Sequence, residues 1–184
     1  MNLYKKTIEY VDLAFNGKNI KHFERTVYWF EKFSPIWSEA HQIAAYSHDI
    51  ERANRGKEEK YLKSYTEVDD FKHHQERGAE IMDKFLYDNG ADEAVISKVR
   101  HLISKHEVGG DTEQDALMDA DSVSFFETNA EMFVKNKAPI EGYEKVKGKL
   151  DWMFDRIKSS EAKECAHNNY ARWVTELEKC KMSS

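Results

Sequence analysis

Apolar residues recur at three- and four-residue intervals along almost the whole chain, and only 2 prolines stand in their way. That spacing lines one face of a 3.6-residue helix, and no β-hairpin signature competes with it. The pattern predicts helices over residues 2–16, 20–33, 35–51, 69–88, 91–107, 113–135, 140–158 and 160–180. Ser34-Pro35 reads as an N-cap followed by proline at the first helical position, and Pro139 opens a late helix. Asn89-Gly90 and Gly109-Gly110 read as stops. Residues 52–68, polar and irregular around Gly56, read as an exposed insertion. With no repeat and no linker in sight, the expectation is an all-α helical bundle, a single domain over residues 1–184.

Charge narrows the partners. The net charge of −6 argues against a nucleic-acid polymer or an anionic membrane as the main partner. A small anionic substrate remains open, because a metal or a few cations reverse the field locally. Cys165 and Cys180 are too few for a disulfide framework and read as free thiols of a cytoplasmic protein. No run approaches the roughly 18 apolar residues of a membrane span. The opening M-N-L-Y-K-K-T-I-E-Y lacks the apolar core and cleavage site of a signal peptide.

The eight histidines sort by helical direction. In the helix at 91–107, His106 continues the stripe Val95, Val99, Leu102, and His101 lies opposite. In the helix at 69–88, His74 joins Phe71, Gly78, Ile81 and Phe85, and His73 points away. His22 lies at the edge of a stripe with Thr26, Trp29 and Phe33. In L-M-D-A-D-S-V-S-F-F, Asp121 shares a face with Leu117, Ser124 and Phe125, and Asp119 falls on the far side near Phe126. His22, His48 or Asp49, His74, His106 and Asp121 therefore point inward from five helices. Each inward histidine alone reads as a core histidine with a hydrogen-bonded partner. An inward carboxylate is harder to place, because leaving it unpaired costs several kcal/mol. A shared metal site accounts for all of them together. Imidazole and carboxylate ligands suit divalent Fe, Mn, Zn, Co or Ni, and a bridging carboxylate can hold two ions.

These residues in this order resemble the HD-domain metalloprotein superfamily, an all-α family with the pattern H…HD…D, extended in its two-metal members to H…HD…H…H…D. Here the extended pattern is His22, His48-Asp49, His74, His106 and Asp121. The contexts H-F-E-R-T-V (22–27), A-A-Y-S-H-D-I (44–50), H-Q-E-R-G-A (74–79), V-R-H-L-I-S-K-H-E (99–107) and D-A-D-S-V (119–123) are similar to the family's. The last of these selects Asp121 over Asp119. The resemblance covers residues 20–125, an HD core on which helices from 136–184 pack. There are departures: Ile50-Glu51-Arg52 stands where many members have Ile-Gly-Lys, and Ser122 replaces the basic residue of the closing motif. The Glu-Asp pair of the alarmone-hydrolase branch and the Gly-Tyr-Pro element of the cyclic-di-GMP branch are absent.

The resemblance implies hydrolysis of a phosphomonoester or phosphodiester bond in a small phosphorylated molecule, foremost a nucleotide. It implies one or two divalent ions, Fe, Mn, Co, Ni, Zn or Mg. His22, His48, Asp49 and Asp121 would hold the first, and Asp49 would bridge to a second held by His74 and His106. Arg25, one turn from His22, is the first choice for a substrate cation, followed by Lys105 and Arg52. Beyond residue 135 no motif appears. Trp152, Met153, Phe154, Ile157, Tyr170, Trp173, Val174 and Leu177 read as core, and the C-terminal helices as packing on it, closing part of the cleft or forming a homodimer. Two further readings share the same ligands: a mixed-valent di-iron oxygenase of the superfamily, and a non-enzymatic metal-binding regulatory HD module.

Overall fold

The computed structural model describes residues 2–55 and 68–182. The insertion expected at 52–68 falls largely outside them. The described chain is all-α, with no strand among the described residues. Its helices are α1 (Leu3–Ala14), α2 (Ile20–Phe33), α3 (Glu39–Ser47), α4 (Ile50–Asn54), α5 (Val68–Asp88), α6 (Glu93–Ile103), α7 (Thr112–Thr128), α8 (Ala130–Met132), α9 (Ala138–Glu141), α10 (Tyr143–Asp155) and α11 (Ser160–Met182). A π-helical turn, Phe133–Lys137, joins α8 to α9. None of these helices is long and apolar enough to cross a membrane.

Several predicted helices are divided. Ser34 ends α2 instead of opening the next helix, and its hydroxyl donates to the Ile36 carbonyl at 2.6 Å. Pro35 therefore lies in the connection, and α3 starts at Glu39. The helix expected at 35–51 breaks at His48-Asp49, which leaves α4 as a separate turn. The helix expected at 113–135 stops at Thr128, and Gly142, at φ +105°, separates α9 from α10. Pro139 opens α9 as expected. Gly90, at φ +74° just after α5, supplies the left-handed conformation that Asn89-Gly90 announced. Asp111 caps α7 by accepting from the Glu113 and Gln114 amides, while the Gln114 side chain returns the bond to the Asp111 amide at 3.0 Å.

Two apolar clusters share α7 as their wall. Leu117 and Ala120 belong to the first cluster, with Phe23, Phe30, Ile43, Ile50, Met82 and Leu102. Val123, Phe125 and Phe126 belong to the second, with Val134, Leu150, Met153, Trp173 and Leu177. Trp29 and Phe33 of α2 pack against both. The most extensive helix pair is α2 with α7. Buried on all sides, α7 carries polar as well as apolar residues inward, and each polar one needs a partner.

Asp119 shows how such a partner arises. It faces the second cluster, buried, and its two oxygens accept the Lys158 and Ser159 amides at 2.7 and 2.9 Å. It thereby ties the start of α11 to α7. Replacing it with Ala leaves two amides without an acceptor, so Asp119→Ala is expected to lower stability by about 2–3 kcal/mol in urea unfolding.

Candidate metal centre

The break between α3 and α4 answers which member of His48-Asp49 faces inward. Asp49 leaves the α-helical conformation at φ −94°, ψ 9°, and the Arg52 amide bonds back only three residues, to the Asp49 carbonyl at 2.9 Å. Neighbours in a continuous helix would diverge by about 100°. Here both side chains enter the same space. His22 enters it from the first turn of α2, His74 from α5 and Asp121 from α7. His106 lies three residues past the end of α6, in tight turns whose amides bond back to Leu102 and Ile103. All four histidines are buried. The excluded pair, His73 and His101, is exposed.

Each of the four imidazoles is turned by its Nδ1. That nitrogen donates to the Ala45 carbonyl in His48, to the Ile103 carbonyl in His106 and to Glu51 Oε2 in His74, at 2.8, 2.8 and 2.6 Å. In His22 it meets Ser124 Oγ at 2.9 Å, and that hydroxyl in turn donates to the His22 carbonyl. With a proton held on Nδ1, each ring turns its Nε2 to the interior. His22 Nε2 lies 3.2 Å and His48 Nε2 3.5 Å from Asp121 Oδ1. His74 Nε2 lies 3.0 Å and His106 Nε2 4.0 Å from Asp49 Oδ1. The other Asp49 oxygen is 4.0 Å from His48 Nε2. Glu107 Oε1 lies 3.8 and 3.9 Å from the same atoms of His74 and His106.

Two groups result: His22, His48 and Asp121, and Asp49, His74, His106 and Glu107. Within each, one ligand atom per residue lies within 4.8 Å of all the others, so either group could hold a metal ion. The Nε2 atoms of His48 and His106 are buried without any hydrogen-bond partner. Buried polar atoms are rarely left so, and a cation between such lone pairs satisfies them. The donor set, neutral imidazole and carboxylate, fits a divalent transition metal.

A family model described as Domain of unknown function (DUF4202) matches residues 5–180. The chain belongs to the DUF4202 family. No curated protein and no solved structure matches it. In this DUF4202 chain the matched stretch takes in both ligand groups and the C-terminal helices as well.

Those helices bring cations to the carboxylates. Arg156, at the end of α10, binds Glu107, Asp121 and Ser122 Oγ together. Arg52 joins Asp49 to Glu107, at 2.5 and 2.8 Å. Burial alone would raise the Asp49 and Asp121 carboxyls. Arg52 for the first, Arg156 for the second and the facing histidines hold both well below the usual range. Glu107, buried but flanked by Arg156 and Arg52, is brought down to about 2. Burial pushes His106 down to about 3, which keeps it neutral and ready to ligate. Burial disfavours a charge on His48 too, but Asp49 and Asp121 outweigh it and raise that ring to about 9.

The residues singled out from the sequence divide cleanly. His22, His48, Asp49, His74, His106 and Asp121 are brought together, and Arg52 lies beside them. Arg25 is not. It forms a two-pronged pair with Glu127 at 2.6 and 3.0 Å and covers the Tyr28 ring, so its charge is already used. Lys105 is exposed beyond the end of α6 and is not among the residues that line the cavity beside the centre. Glu51, Glu107, Lys149 and Arg156 were not foreseen. Only the direct succession His106-Glu107 offered a hint, and nothing in the periodicity marked the others. His41, by contrast, is an ordinary core histidine, held between Ser38 and Glu113 at 2.7 and 2.8 Å.

If the first group holds an ion, His48→Ala and Asp121→Ala each lose divalent metal on dialysis while wild type retains it, as elemental analysis reads. Chelation should lower the wild-type unfolding midpoint by several degrees, because an ion bound only to the folded state stabilises it by mass action. Wild-type metal content in both variants would remove the first group from consideration.

Proposed function

We propose that this protein is a metal-dependent phosphohydrolase of the HD-domain type, acting on a phosphomonoester or phosphodiester bond in a small molecule, foremost a nucleotide. One observation carries the reading. The two ligand groups open into a cavity of about 510 Å³ whose wall holds Arg52, Arg55, Lys137, Lys145 and Lys149. The same wall carries Asp49, Glu107, Asp121 and Glu141, so divalent ions held by the two ligand groups would turn it strongly positive and suit an anionic ligand. Its size is that of a small-molecule site, and it lies between α2, α5, α7 and the C-terminal helices.

The protein's residues divide the work. His22, His48 and Asp121 would hold one ion, and Asp49, His74 and His106 another, with Asp49 placed between the groups. Bound there, a divalent ion supplies Lewis acidity toward a phosphoryl oxygen and acidifies water. Glu51 fixes the direction of His74, and Ser124 that of His22. Arg52 lies where its guanidinium can pass from Asp49 and Glu107 to a phosphoryl oxygen, because an ion on Asp49 replaces the charge that Arg52 now provides. Phe71, Phe125 and Phe133 add apolar surface to the same wall. The oxygenase alternative shares the ligands.

Anaerobic purification with metal analysis, then phosphate release from a panel of nucleotides and simple phosphomonoesters, tests the reading. Hydrolysis is expected to need a divalent ion, and Asp49→Ala to lower it by about 10³-fold, as expected when a group central to the chemistry is removed. Consumption of O₂ in place of phosphate release would transfer the protein to the oxygenase class. Full hydrolysis by Asp49→Ala would dismiss the site.

A further inference from the structure

Four of the five lining cations are already engaged by carboxylates. Arg52 holds Asp49 and Glu107, and Arg55 holds Glu51 at 2.8 Å. Lys137 and Lys145 lie 3.7 and 3.3 Å from Glu141. Lys149 is different. It is only 8% exposed, yet it lines the cavity, and its ammonium forms no ion pair or hydrogen bond among the described residues. Its neighbours are ring faces, Trp152 at 4.5 Å and Phe125 at 5.7 Å. Cation–π contact returns only part of the hydration that a buried ammonium gives up.

The position of Lys149 is fixed relative to the metal centre. Two turns later on α10, Arg156 grips Glu107 and Asp121, and its guanidinium also lies against Trp152, at 4.4 Å. Trp152 is in turn stacked on Phe71 of α5, with ring centroids 4.5 Å apart and planes 13° apart. Lys149, Trp152 and Arg156 thus form one braced face of α10, pinned at one end to the carboxylates of the centre.

We infer that the Lys149 ammonium is the phosphate-binding cation of this cavity, supplied by a helix outside the segment that carries the His/Asp constellation. The inference rests on the phosphohydrolase reading for its ligand class. A phosphate suits the position because a compact ammonium on a flexible stem donates in several directions to tetrahedral oxygens. The desolvation of Lys149 is already incurred in the free protein, so an entering anion gains the full attraction of a partly dehydrated charge. Burial, together with Arg156 and Arg52, pushes the Lys149 ammonium down to about 8 against the pull of Glu107, and it remains mostly charged at neutral pH.

The test is calorimetric titration of inorganic phosphate into the purified protein, Lys149→Met and Lys149→Arg. Lys149→Met is expected to weaken phosphate binding by about tenfold or more, while Lys149→Arg stays within about threefold of wild type. Metal content and unfolding midpoint should be kept in Lys149→Met, since methionine fills a similar volume and removes a buried charge. Equal phosphate affinity in wild type and Lys149→Met overturns the inference, and so does wild-type protein that binds no phosphate. The panel of phosphorylated substrates separates it from the parent reading. Lys149-dependent phosphate binding without hydrolysis keeps the anion site and discards the hydrolase. Hydrolysis with phosphate binding that ignores Lys149 does the reverse.

Discussion

Everything at the centre of this molecule depends on where four imidazole protons go. A buried histidine has two nitrogens to satisfy, and in His48 and His106 the fold satisfies only one. The carbonyls of Ala45 and Ile103, the Ser124 hydroxyl and the Glu51 carboxylate each engage an Nδ1. Two of these acceptors are backbone carbonyls three residues upstream, which no side-chain substitution removes. The orientation of His48 and His106 is therefore a product of the local turn itself. Once Nδ1 is occupied, the ring has no freedom to place Nε2 anywhere but inward, and the orphaned lone pairs follow.

Such an interior cannot stand on histidines alone. Asp49, Asp121, Glu107 and Glu51 are buried or nearly so around them, and like charges at this spacing repel strongly in a poorly solvated site. The protein offsets this with guanidinium groups, not with apolar shielding. Arg52 spans Asp49 and Glu107, and Arg156 spans Glu107 and Asp121. Glu107, bound by both, links the two ligand groups through a chain of alternating charge. Divalent ions added to this chain would relieve the same repulsion and loosen the arginines. The arrangement is suited to exchanging internal cations for metal and freeing guanidinium donors toward the cavity.

How much of this was legible in the sequence follows from what helical periodicity can encode. The directions of His74 and Asp121 were readable because α5 and α7 run unbroken through them. His106 was readable by good fortune of geometry. Its helix ends at Ile103, but the tight turns that follow keep nearly the same direction. The break at His48-Asp49 was not readable, and it is what lets adjacent residues converge. Periodicity puts Asp119 on the face opposite Asp121, but a single helical stripe does not reveal that α7 has a second core on that side. Distance along the chain from His22 points to Arg25. In space that position belongs to Glu127, a partner 102 residues away. Long-range charge pairing leaves no trace in spacing, so Arg156 and Lys149 were invisible as well.

The C-terminal helices consequently belong to the site as much as to the scaffold. A segment that only covered the second cluster would need its apolar residues, Leu150, Met153, Trp173 and Leu177, and nothing more. It would not bury a guanidinium against two carboxylates of the centre, nor leave an ammonium facing a cavity, because each of these costs free energy that leucine would not. The second cluster holds α10 in the register at which Arg156 reaches Glu107 and Asp121. The same register places Lys149 and Met153 in the cavity wall. Two independent constraints, apolar packing behind and charge pairing in front, act on one helix, so a shift of α10 by a single residue would break both.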